Sequence, residues 1–197
     1  SIGCYSVAWS ERLSSVTIPE NVTYIGHNAF CGCGLISAFF NAKHCYNAQE
    51  MFNNCGNLET LTFGDSVRIV PKWICDDILN IPSITTVNFG ISIDTIAYGA
   101  FLKCANISSI TLPSSLKYID DWAFYDCSGL TTVNMTSITN PPSLGWEPFK
   151  GNATERKFLI PCESYDAYYN SASWHYHGLI GDTEYDYDYR IDLKSVP

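Results

Sequence analysis

Five apolar positions recur in phase along the chain, and no other feature restricts its fold as much. Counting each unit from Leu13, Leu35, Leu58, Ile84, Ile107 and Leu130 gives steps of 22, 23, 26, 23 and 23 residues. Position 4 then reads Val16, Ala38, Leu61, Val87, Ile110 and Val133, and position 6 reads Ile18, Phe40, Phe63, Phe89, Leu112 and Met135. Position 18 is Phe30, Phe52, Cys75, Phe101 and Phe124, and position 21 is Cys33, Cys55, Ile78, Cys104 and Cys127. A unit this short cannot bury its own apolar face, so the units must stack and share one core.

Side chains alternate along a strand, so positions 4 and 6 turn inward while 3 and 5 turn outward. Position 3 is a small hydroxyl every time: Ser15, Ser37, Thr60, Thr86, Ser109 and Thr132. Position 5 is Thr17, Phe39, Thr62, Asn88, Thr111 and Asn134. These twelve residues form the candidate partner-binding face. Pro19 and Pro113, with Gly64 and Gly90, end the strand at position 7. A second apolar pair follows at positions 10 and 13: Val22/Ile25, Val67/Val70, Ile93/Ile96 and Leu116/Ile119. Two units deviate. In the second, His44 and Asn47 replace that pair, which predicts a differently built turn. In the third, the run Ile78-Leu79-Asn80-Ile81-Pro82 lengthens the back of the coil.

The stretches "VTIPENVTYIGHNAFCGCGL" and "ITLPSSLKYIDDWAFYDCSGL" resemble the BspA-like leucine-rich repeats of bacterial cell-surface proteins, and "MFNNCGNL" resembles a related variant. The likeness covers about residues 2 to 150. It implies a mainly β repeat solenoid of about six coils, right-handed, with a parallel sheet. It also implies secretion or surface display and a role in adhesion, and it supplies no catalytic residues. The expected organisation is a solenoid over 1–150 that starts mid-repeat, a small helical C-terminal cap over 151–180, and an alternating tail over 181–197.

An open solenoid end needs covering. In "FLIPCESYDAYYNSASWHYHGLI", Phe158 and Ile160 continue a strand that Pro161 stops. Tyr165, Tyr168, Tyr169 and Ala172 then fall on one face of a short helix. The stretch resembles the terminator that follows such repeats in gut bacterial proteins. The tail alternates Tyr185, Tyr187, Tyr189, Ile191 and Leu193 with charged residues, which predicts a half-buried strand.

Composition removes several functions. A formal charge of −9 without a Lys/Arg cluster excludes a phosphate-backbone partner. No apolar run reaches the roughly 20 residues a membrane helix needs. Nine cysteines are present. Cys31-x-Cys33 lacks the second pair of a zinc site. The four at position 21 suit buried thiols better than disulfides, because in-register side chains run parallel. Cys4, Cys31, Cys45 and Cys162 lie off that ladder, and a pair among them is left open. His175-x-His177 reads as a packed corner beside Trp174 and Tyr176 rather than as metal ligands. The acidic run from Asp182 to Asp188 fails as a calcium loop, since Tyr187 and Leu193 stand where Gly and Glu are required. Asn21, Asn106, Asn134 and Asn152 open N-x-Ser/Thr triplets, at a frequency expected of an Asn/Thr-rich chain. Metal and cofactor are therefore both read as none.

A second candidate surface is aromatic. Tyr24, Tyr46 and Tyr118 share position 12, Trp73 and Trp122 share position 16, and Tyr98 adjoins the latter. Such rings stack on sugars or anchor proteins, and they equally well cover the ends of neighbouring coils. The sequence thus leads to a non-enzymatic, monomeric, extracellular or surface-held protein that binds an extended protein or glycan. A structural spacer within a larger surface protein is the alternative. A lipid anchor upstream of Ser1 is compatible with either.

Overall fold

Short β-branched and aromatic runs, several of them closed by Pro or Gly, form strands of two to five residues that pair with the equivalent strands of neighbouring coils. The computed structural model describes residues 1–75, 83–176 and 192–196. The front strands are β1 (Ser15–Ile18), β2 (Ser37–Phe40), β3 (Thr60–Phe63), β5 (Thr86–Asn88), β7 (Ser109–Thr111), β9 (Thr132–Asn134), β11 (Lys157–Pro161) and β12 (Asp192–Val196). The back strands are β4 (Ile69–Val70), β6 (Thr95–Ile96), β8 (Tyr118–Ile119) and β10 (Ser143–Leu144). All pairings are parallel. The chain is a parallel-sheet β-solenoid of about six coils with a small helical C-terminal piece, as the repeat predicts.

Register follows the repeat numbering. Val16 lies beside Ala38, Ala38 beside Leu61, and Leu61 beside Val87; further along, Ile110 lies beside Val133 and Val133 beside Phe158. One feature departs from a single continuous sheet. The front ladder divides into β1-β2-β3-β5 and β7-β9-β11-β12, with no ladder bonds between β5 and β7.

The interior is one apolar cluster running through the coils. Leu61, Val67, Val70, Ile93, Ile96, Ile119 and Val133 are fully buried, so the pair at positions 10 and 13 faces inward as expected. The second coil is built differently, as expected, and the reason is a slip in phase. Ala42, Cys45 and Ala48 turn inward in place of the usual pair, while His44 and Asn47 are exposed. Their small size pulls the back of this coil out of the ladder: Asn47 makes only an isolated bridge, to Lys72. The inserted run 78–82 of the third coil lies outside the described residues.

The side of each coil between the back strand and the next front strand is a ribbon that propensity alone does not foretell. Position 16 adopts a left-handed backbone in every described coil: Tyr5, Asn28, Glu50, Trp73, Gly99 and Trp122, with Glu147 equivalent in the last, have φ between 47° and 58°. A non-glycine residue there costs about 1–2 kcal/mol. Hydrogen bonds to the next coil offset it. Gly99 N–H donates to Asp121 O at 3.0 Å, Trp122 N–H to Trp146 O at 3.0 Å, Phe101 N–H to Ala123 O at 2.8 Å, and Phe124 N–H to Pro148 O at 2.8 Å. The front ladder bonds in both directions, with Thr86 N–H donating back to Glu59 O at 3.1 Å and Leu112 N–H forward to Asn134 O at 2.9 Å.

All nine cysteines are thiols, and seven are buried. The position-21 thiols donate to the position-18 carbonyl of the preceding coil: Cys33 to Val7 O at 3.1 Å, Cys55 to Phe30 O at 3.1 Å and Cys127 to Phe101 O at 3.0 Å. Beside them runs a spine of rings, with Phe101 stacked on Phe124 and Phe124 on Phe149, at centroid separations of 5.2 and 5.3 Å.

The C-terminal piece corrects one expectation. The segment is two short helices, α1 (Tyr165–Tyr169) and α2 (Ala172–Tyr176), rather than one with a single aromatic face. Tyr168 is fully buried and its hydroxyl donates to Ile138 O at 3.1 Å, while Tyr165 and Tyr169 stay exposed and stack on each other. The break arises because Tyr168 must point at the core and Trp174 must reach it as well. Trp174 is fully buried, packs edge-on to Phe158 at 5.4 Å, and donates its indole N–H to Pro142 O at 2.9 Å. Arg156, also buried, lies over the rings of Phe149 and Phe158. A strand runs over Asp192–Val196, paired with β11; residues 177–191, which hold His177 and most of the Tyr/Asp alternation expected to form a strand, lie outside the described residues.

Candidate surface for partner binding

The twelve predicted residues of the strand face carry no ionisable side chain, and their row continues in register into Lys157 of β11 and Asp192 of β12. Ser15, Thr17, Phe39, Thr86, Asn88, Ser109 and Thr111 are exposed, and Ser37, Thr60, Thr62, Thr132 and Asn134 are half-buried. In-register pairing sets Ser15, Ser37, Thr60 and Thr86 in one row and Ser109 and Thr132 in another. Rows of this kind repeat at the ladder spacing of about 4.8 Å. Among them Asn88 Nδ2 donates to Thr62 Oγ1 at 3.2 Å, while the Thr86 hydroxyl lies 3.4 Å from that of Thr85 and Asn134 Oδ1 accepts from Thr136 Oγ1 at 2.8 Å. Where β5 and β7 part, the face sinks into a recess of about 360 Å³ lined by Thr85, Thr86, Val87, Asn88, Phe89, Ser109 and Thr111. Position spacing predicted four of those seven as face residues. It gave no hint of the recess, which depends on two strands that fail to pair.

The aromatic set does not form one surface. Tyr24 and Tyr46 stand exposed and apart from the others, with the Tyr24 hydroxyl 4.0 Å from Cys4 Sγ and the Tyr46 hydroxyl 3.2 Å from His44 Nδ1. Tyr118 is half-buried in the back ladder and donates to Asp120 Oδ1 at 3.2 Å; burial and the Asp120 carboxylate push its pKa upward. Trp73, Tyr98 and Trp122 do come together, on the ribbon side. Trp73 and Tyr98 lie 4.9 Å apart and Tyr98 and Trp122 5.4 Å apart, with Tyr125 completing the group at 5.9 Å from Trp122. All four are half-buried, which makes the cluster as much a packing element as a platform. The sequence reading missed Tyr125, and it missed the exposed rings of Trp9 and Trp146. Their positions vary between coils, so no in-phase pattern marks them.

Among the described residues no group of three or more His, Cys, Asp or Glu side chains converges. Burial raises the Cys45, Cys104 and Cys127 thiols, moving them away from the thiolate form a nucleophile needs. His27 Nε2 meets Glu50 Oε2 at 2.7 Å at the edge of the ribbon, but His27 is largely exposed and no nucleophile stands beside the pair. No described helix is long and apolar enough to cross a membrane.

Among solved structures, a leucine-rich repeat protein from Bacteroides ovatus matches with a TM-score of 0.62 at 23% identity, over 93% of this chain and 42% of that one. A leucine-rich repeat protein from T. pallidum matches with a TM-score of 0.48 at 18% identity, over 75% and 58% of the two chains. A leucine-rich cell surface protein from Faecalibacterium prausnitzii matches with a TM-score of 0.47 at 19% identity, over 79% and 49%. The B. ovatus likeness shows a shared fold, and this chain spans less than half of that protein's length. Among curated proteins none matches. The model of the BspA-type leucine-rich repeat region, in six copies, matches residues 1–85 and 79–171. The chain belongs to the BspA-type leucine-rich repeat family.

Proposed function

We propose that this chain is a non-enzymatic binding module displayed outside the cell, and that its strand face engages an extended protein or glycan. One observation carries the reading: the twelve position-3 and position-5 side chains are solvent-accessible and uncharged on a protein of net charge −9. An acidic protein that keeps this face uncharged from β1 to β9 leaves that stretch free of the self-repulsion and desolvation penalties charge would bring. The same hydroxyl and amide chemistry repeats from coil to coil, so weak contacts add along a partner that is itself extended. Family membership supports display at a bacterial surface. The protein acts as a monomer in this reading.

The test is binding of the chain to an immobilised panel of host matrix proteins and glycans, beside a Thr17→Lys, Thr62→Lys, Thr132→Lys variant that folds normally. Capture of the parent and loss in the variant supports the proposal. Equal capture of both moves binding to another face, and no capture by any panel member favours the spacer role.

A further inference from the structure

The front ladder is interrupted once among the described residues, between β5 and β7, and the recess lies at that interruption. We infer that it is a binding site for one neutral sugar unit of a glycan, with Thr86, Asn88, Ser109 and Thr111 supplying hydrogen bonds beside the Phe89 ring. The inference rests on the strand-face reading above and narrows it to one site and one ligand class.

Size comes first. A recess of about 360 Å³ falls at the lower end of the roughly 300–1,000 Å³ typical of small-molecule sites. Cα atoms of β5 and β7 approach within 8 Å, whereas a strand inserted between them would need two ladder spacings, about 9.6 Å. An added peptide strand therefore does not fit the gap, and a compact ligand seated on the face does.

Chemistry then selects the ligand. None of the lining side chains is ionisable, so nothing compensates a buried phosphate, carboxylate or ammonium. The hydroxyls of Thr86, Ser109 and Thr111 both donate and accept, and the Asn88 amide offers each role on a different atom. The facing edges of β5 and β7 exchange no ladder bonds, which adds main-chain donors and acceptors without the partners that the ladder supplies elsewhere. A ligand that matches such a mixed, electroneutral lining must itself donate and accept at each contact, as sugar hydroxyls do. Phe89 provides the apolar part. Its half-buried ring is fixed by stacking on Phe63 at 5.7 Å and by an edge contact with Phe101 at 5.9 Å. The part of this fixed ring that lines the recess offers an apolar contact to the C–H groups of a sugar at little entropic cost.

The experiment is an amide-resonance titration of the isotopically labelled chain with the methyl glycosides of glucose, galactose, mannose and N-acetylglucosamine. Methyl glucuronide and an extended Ala/Ser/Thr peptide serve as comparisons. We expect at least one neutral glycoside to shift the amides of residues 85–89 and 109–111. Thr86→Val with Thr111→Val, which keeps the side-chain shape, is expected to weaken that glycoside at least about tenfold, as two lost hydrogen bonds require. Ser109→Ala provides a second, independent reduction. The proposal is overturned if no neutral glycoside shifts those amides, if glucuronide or the peptide does so instead, or if the variants bind unchanged. Capture of the parent chain on the matrix and glycan panel with an unresponsive recess would remove this site alone. Failure of both would remove the strand-face reading with it.

Discussion

Asn152 Nδ2 donates to Phe124 O at 2.7 Å, taking the place that Cys127 Sγ holds on Phe101 O at 3.0 Å one coil earlier. Asn152 stands three residues after Phe149, as Cys127 stands three after Phe124, so a carboxamide replaces a thiol at the same corner. What the corner requires is a short side chain with a donor aimed at the preceding coil. A thiol supplies this where burial is complete, and the stronger amide donor supplies it where Asn152 is only half-buried.

Cys127→Ala is accordingly expected to lower stability by about 1–3 kcal/mol, since it strips the Phe101 carbonyl of a buried donor and leaves a small void. Asn152→Cys keeps the donor and is expected to lose less than Asn152→Ala. Urea unfolding of the three variants, read as midpoint shifts at constant slope, checks this; equal losses for Asn152→Cys and Asn152→Ala would show that the donor is irrelevant.

Thiol chemistry provides a second check. Cys4 and Cys162 are exposed and the other seven are buried, so an aromatic disulfide reagent is expected to label two thiols quickly in the native protein and nine after denaturation. Burial raises the Cys104 thiol well above its ordinary value of 9.0, with Cys75 adding to the rise, and burial likewise raises Cys127. In the unfolded chain these thiols ionise near their ordinary value, while in the folded chain they stay protonated to higher pH. The stability tied to the protonated form is thus complete below about pH 9 and declines as pH climbs toward the folded values. Thermal unfolding between pH 7 and 11 is expected to fall mainly above pH 9, and a Cys104→Ala, Cys127→Ala variant to show a shallower decline.

Gly99 illustrates how one coil dictates the residue of the next. Its φ is +58°, and a Cβ there would lie 2.6 Å from the Trp73 ring. Gly99→Ala is expected to cost about 1–2 kcal/mol from the backbone alone, with an added change in tryptophan fluorescence as Trp73 is pushed off. Gly56→Ala, with nothing within 4 Å of its added methyl, serves as the control and is expected to be close to neutral.

The architecture was open to reading because its cause is periodic. Positions 1, 4, 6 and 18 are apolar in phase, as are 10 and 13 outside the second coil, and stacking the coils in register buries these inward-facing positions together. Val16, Ala38, Leu61 and Val87 lie side by side for that reason. Ser/Thr at position 3 was equally legible, as the residue opposite in the pleat.

Tertiary structure alone decided the rest, because it depends on how one coil meets another. The second coil slips its inward set to Ala42, Cys45 and Ala48, a change of phase that the neighbouring coils enforce by filling the remaining core. Left-handed residues such as Trp73 and Trp122 are tolerated because the following coil offers carbonyls to their N–H groups, a partner that no local propensity encodes. The recess between β5 and β7 likewise exists only where two correctly formed strands lie close without exchanging hydrogen bonds. Local pattern determined which residues point in and which point out; contact between coils determined where the regular surface opens.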